Sequence, residues 1–128
     1  MNKLEQRIAI AKSRGWIWVE NHCYKNISFM GSKSYGDGWK SPKTGEIYDD
    51  IESLPDYLND FNAMHEALID LNTNKVVKFV FHLYKIVCVG SLKRDFRYYA
   101  AGSLGRLFHS TAEQWAEAYL RSIGEWKD

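Results

Sequence analysis

The stretch from Ser110 to Gly124 constrains the fold more than any other part of the chain. Ser110 and Glu113 stand at the spacing of a capping box, in which a hydroxyl accepts a backbone amide at the start of a helix and an acidic side chain reaches back. Trp115, Tyr119 and Ile123 then recur every four residues and mark one buried face. Glu117 and Arg121 form an i, i+4 pair on the outside, and Gly124 supplies a left-handed stop. Trp126 follows closely enough to fold back over the last turn. A helix written this way must lay its apolar stripe on something, so the chain needs at least one further layer of secondary structure.

Three other segments carry helical periodicity. Lys3 to Arg14 places Leu4, Ile8 and Ala11 on one face with Lys3, Gln6 and Arg7 off it; Asn2 and Glu5 make a capping box and Gly15 a stop. Further on, Phe61, Met64, Leu68 and Leu71 fall three and four apart, Asn59 or Asp60 is available as cap, and Pro55 keeps the preceding chain extended. Lys75 to Val89 is rich in β-branched and aromatic residues, which favours a strand by type. Its polar positions Lys75, Lys78, His82 and Lys85 nevertheless recur at three, four and three residues, one stripe of a helix, and the periodicity decides for helix.

Between these helices the β signals are short. Trp16 to Val19 reads as a strand covered on both faces, near the middle of the fold. From His22 to Pro55, Gly31, Gly36, Gly38, Pro42 and Gly45 predict loops around one or two short strands, the best candidate being Gly38 to Ser41. So long an irregular stretch is a natural place for binding. After Gly90, Asp95 to Ala101, a turn at Gly102 to Gly105 and the pair Leu107 and Phe108 predict a hairpin. The class is therefore mixed α/β, of the α+β kind.

With 128 residues, 45% of them hydrophobic, the chain is long enough for one core, and residues 1–128 read as a single domain. The formal charge of +1 leaves no overall field to draw the chain to nucleic acid or anionic lipid. The first twelve residues are not a signal peptide, and no run nears the roughly 18 apolar residues of a membrane span, which places the expected protein in the cytoplasm. Cys23 and Cys88 stand far apart in no ligand spacing, so neither a zinc site nor a disulfide framework is indicated.

Four phrases carry a resemblance: RIAIAKSRGWIWV (Arg7 to Val19), GWKSP (Gly38 to Pro42), PDYLNDFNAMHEAL (Pro55 to Leu68) and HSTAEQWAEAYLRSIGEW (His109 to Trp126). With them the chain resembles the phage ABA-sandwich domain family, small proteins of tailed phages and prophages. Trp115 stands where that family usually has Arg. The resemblance implies a three-layer α-β-α sandwich, a small, mostly antiparallel sheet with three or four helices, and a viral or prophage origin. It implies no activity.

The motifs of chemistry are missing. His65 and Glu66 begin a zinc-protease helix motif, but its second His would have to be at position 69, which is Ile69. There is no nucleophile elbow, no phosphate loop and no dinucleotide fingerprint, so no enzyme, cofactor or metal is expected. Two readings remain. The first is an accessory protein that binds another protein, such as a component of host defence, or a second copy of itself, through exposed aromatics among Trp39, Tyr57 and Trp126. The second is a binder that sequesters a nucleotide or a nucleotide-derived signal. It would use Arg94, Arg97 and Arg106 with Tyr98 as stacking partner, and His109, just ahead of a helix N-terminus, beside an anion.

Overall fold

Asn2 and Glu5 open the first helix by exchanging side-chain bonds: the Glu5 amide donates to Asn2 Oδ1 and the Asn2 amide to Glu5 Oε2, each at 2.8 Å. The helix, α1 (Lys3–Ser13), ends where Gly15 turns left-handed at φ 93°. In the computed structural model the residues described are 1–24, 34–87 and 109–128, with backbone alone at 21–24 and 34–35. Among them the chain is mixed α+β, with four α-helices and one three-stranded antiparallel sheet. The described chain divides into two compact units, Met1–Ile10 with Asp56–Asp128, and Ala11–Pro55. The hairpin expected at 95–108 lies outside the described residues.

The predicted stripe of α1 needs correction. Gln6, Ile10 and Ala11 are buried, whereas Leu4 is exposed. Residue type misleads here because Gln6 enters the inner line, its amide Nε2 donating to the Met1 carbonyl at 3.3 Å while its Oε1 is buried with no hydrogen-bond partner among the described residues.

The unit Ala11–Pro55 holds the sheet, in the order β1 (Ile17–Tyr24), β2 (Ser34–Lys40) and β3 (Ile47–Tyr48). Both strands of the expected region exist but run longer than Trp16 to Val19 and Gly38 to Ser41. β1 passes through a bulge and goes on pairing to Tyr24: Val19 pairs with Gly38 and His22 with Gly36, so Glu20 and Asn21 together face Asp37. Trp18, Trp39 and Tyr48 form one cross-strand row. The Trp18 and Trp39 rings meet edge to face at 5.2 Å, and Trp16 contacts Tyr48 at 6.2 Å. The expectation that Trp16 to Val19 is covered on both faces fails, since Ile17 is 60% and Trp18 42% exposed. Among the described residues β1 pairs only with β2 and lies at the edge of the sheet.

Gly38 is demanded by close approach. A Cβ there would lie 2.6 Å from the Tyr48 carbonyl oxygen and 2.7 Å from Ile47 Cγ2. The β2–β3 connection closes on Ser41, whose Oγ accepts from the Lys43 and Thr44 amides and whose carbonyl accepts from Gly45, itself at φ 72°. A 3-10 turn (Ile51–Ser53), capped by Asp50, precedes the fully buried Leu54.

In the other unit, α2 (Phe61–Ile69) starts at Asp60, whose carboxylate accepts from the Asn62 amide at 2.8 Å, as expected. Met64 and Ala67 are its buried residues. Phe61 is largely exposed and Leu68 and Leu71 are half-buried, so the predicted line is rotated toward Ala67. As the polar stripe required, the segment is helical as far as it is described, Lys75 to Val87: α3 (Thr73–Val87) starts at Asn72, whose Oδ1 accepts from the Lys75 amide at 2.9 Å.

The last helix, α4 (Ala112–Ile123), begins one residue later than the sequence suggested. Its cap is Thr111, boxed with Gln114 rather than Ser110 with Glu113: the Gln114 amide donates to Thr111 Oγ1 at 3.2 Å and the Thr111 amide to Gln114 Oε1 at 2.8 Å. Ser110 Oγ is engaged elsewhere, accepting from Trp115 Nε1 at 2.6 Å. That bond fixes Trp115 between Phe61 and Phe79, both edge to face, at 5.3 and 5.8 Å. The Trp115 side chain thus joins α2, α3 and α4. Ala112, Ala116, Tyr119 and Leu120 are buried, while Trp115 and Ile123, expected inside, are half-buried. Glu117 and Arg121 pair at 2.8 Å, Gly124 turns left-handed at φ 82°, and the Arg121 guanidinium lies 4.8 Å over the Trp126 ring.

Candidate functional site

At about 100° per residue, the apolar residues of α3 run from Ile86 round to Phe81, an arc of about 220° interrupted only by Thr73 at the first position of the helix. A helix that packs on one neighbour needs an apolar stripe of roughly 100°. The excess is visible in the burial. α3 packs on α4, yet only Phe79 and Leu83 of α3 are buried. Val77 is 63% exposed, Phe81 53%, Val80 49% and Val76 38%. Single exposed apolar side chains are ordinary, but four on one arc of one helix form a patch of the kind that marks an interaction surface.

The edge of this patch is basic. Asn74, Lys85 and Lys78 follow Phe81 around the helix, and α3 contains no acidic residue. Lys85 Nζ sits 4.1 Å above the Phe81 ring, which holds a cation at the rim of the patch. On the same polar arc His82 is half-buried. Burial first, and then the charges of Lys85, Arg121 and Lys78, lower its pKa from the ordinary 6.5 and favour the neutral imidazole.

The residues singled out from the sequence are scattered rather than gathered. Trp39 is buried beneath its contact with Trp18, and Tyr57 is buried in the other unit, so neither presents a surface to a partner. Trp126 is half-buried under Arg121. His109 is exposed, two residues ahead of the Thr111 cap. Arg94, Arg97, Tyr98 and Arg106 lie outside the described residues, and with them the basic-aromatic strand. The sequence reading missed Val76, Val77, Val80 and Phe81. The signal was present: the polar stripe that identified the helix leaves an apolar arc too wide for one neighbour.

Among the described residues no group of three or more His, Cys, Asp or Glu side chains is placed to hold a metal ion, and no helix is long and apolar enough to cross a membrane. His65 and Glu66 are both exposed on α2. No family model matches the chain, and neither a curated protein nor a solved structure is similar enough to be a match.

Proposed function

We propose that the chain is a non-enzymatic accessory protein of phage or prophage origin that binds another protein in the cytoplasm of a host cell, and that α3 provides the binding surface. The observation that carries this reading is the run of exposed Val76, Val77, Val80 and Phe81 on a helix whose adjoining side, Phe79 and Leu83, is already buried. Burying such a patch against a partner removes apolar area from water at about 25 cal/mol per Å², a driving force the isolated chain leaves unused. The proposed origin rests on the resemblance of four sequence phrases to the phage sandwich proteins, and the proposed lack of an activity on the missing catalytic motifs.

A peptide-display selection against the full chain tests the reading. Enriched binders are expected to hold the wild type and to weaken at least about tenfold on Phe81→Lys, a change at an exposed position that leaves the fold intact. Val77→Asp serves as the second variant. Binders indifferent to both changes, or no enrichment, would sink the proposal.

A further inference from the structure

The rim of the α3 patch specifies its partner further than apolar area alone. This step rests on the reading of α3 as a binding surface. Lys78 and Lys85 lie seven residues apart, two helical turns or about 10.5 Å along the axis, on the edge next to Phe81. Both are exposed, and Lys85 is held over the Phe81 ring. The other side of the patch, beyond Val76, leads to Leu83 and Phe79, which α3 buries where it meets α4. Among the described residues of α3 the patch is therefore a strip with cations along one border only.

We infer that the uncovered face of α3 takes an amphipathic helix of another protein, whose apolar stripe is edged on one side by two carboxylates two turns apart, set against Lys78 and Lys85. Two parallel ridges of valine and phenylalanine suit a helix lying alongside at the usual 8–10 Å, roughly, between axes. The paired carboxylates supply the complementary charge and fix the register. A second copy of the chain fits less well. In an antiparallel twofold pairing each helix edge meets its own copy, which sets Lys78 and Lys85 against lysines, and like charges so placed are repulsive. An anionic lipid surface is also a poorer match, because a helix lying in that plane has cations on both borders of its apolar face, and α3 has them on one.

The test uses the full chain and two labelled synthetic helical peptides with one leucine stripe, one edged with Glu at i and i+7, the other with Lys. Fluorescence anisotropy is expected to show the Glu-edged peptide binding at least about tenfold tighter at low salt. The gap should narrow at high salt and reverse in the Lys78→Glu, Lys85→Glu variant. Equal affinity for both peptides, abolished by Val77→Asp, overturns the charge assignment and leaves the binding surface standing. Binding to neither peptide overturns the inference, and the display selection then decides separately whether the surface binds at all. Concentration-dependent dimerisation lost in Phe81→Lys, or capture by phosphatidylglycerol vesicles with no preference between peptides, overturns it in favour of a second copy or a membrane.

Discussion

The helices α3 and α4 pack on each other, yet they use their apolar residues differently. From Ala118 round to Leu120, α4 is buried over about 200° of its circumference, partly with alanines that let neighbours approach. α3 has a comparable arc of larger side chains and buries only Phe79 and Leu83. An apolar arc read from sequence therefore states what a helix is able to cover, and its neighbours decide how much is covered. The exposed remainder on α3 is where binding energy is available, and α4 is where folding energy is spent.

The sharpest way to break this contrast is by truncation. Leu120→Ala on α4, at a fully buried position, should cost about 2–5 kcal/mol in urea unfolding, whereas Phe81→Ser on α3 should change stability by no more than about 0.5 kcal/mol. Similar losses at the two sites would mean that Phe81 is covered in solution and that the patch is not a surface. A smaller effect tests how α4 begins. Thr111→Ala should lower stability by about 1 kcal/mol through loss of the cap, and Glu113→Ala should leave it nearly unchanged, because Gln114 and not Glu113 completes the box. Equal effects would restore the capping pair first read from sequence.

Smaller still is the response to pH at the polar edge of α3. The folded state lowers the pKa of His82, so below 6.5 the unfolded chain takes up a proton there before the folded chain does. Stability contributed by the neutral imidazole is thus complete above 6.5 and is lost as pH falls through the lower folded value. Thermal melts from about pH 7.5 to about pH 5 should show a shallower decline for His82→Gln than for the wild type. Parallel declines would remove His82 from the account. Val77→Ser should be the quietest change, altering binding of the Glu-edged peptide while leaving the melt nearly where it was.

Most helix ends were legible because they depend on neighbours in the chain. Asn2 with Glu5, Asp60 and Gly124 act over three or four residues, and each does what its spacing required. The exception is instructive: Ser110 fits a cap by spacing, but the Trp115 indole takes its oxygen, and the helix starts at Thr111 instead. The polar stripe of α3 likewise identified a helix against residue type, since about 100° per residue is a local rule. Of the candidate binding residues, Trp39 and Tyr57 were chosen as large aromatics with no local means of telling an inner from an outer position, and both are buried.

By itself, then, the sequence determined the mixed α+β class, the helical nature of Lys75 onward, and most of the caps, all set by interactions within about one helical turn. Only the tertiary structure decided which part of each apolar arc is buried, that β1 lies at the edge of the sheet among the described residues, and that Trp115 joins three helices. Those outcomes depend on which surfaces meet across long stretches of chain. Burial is a property of such meetings and not of a residue's type, which is why the exposed face of α3 appears only once α4 has covered the other side.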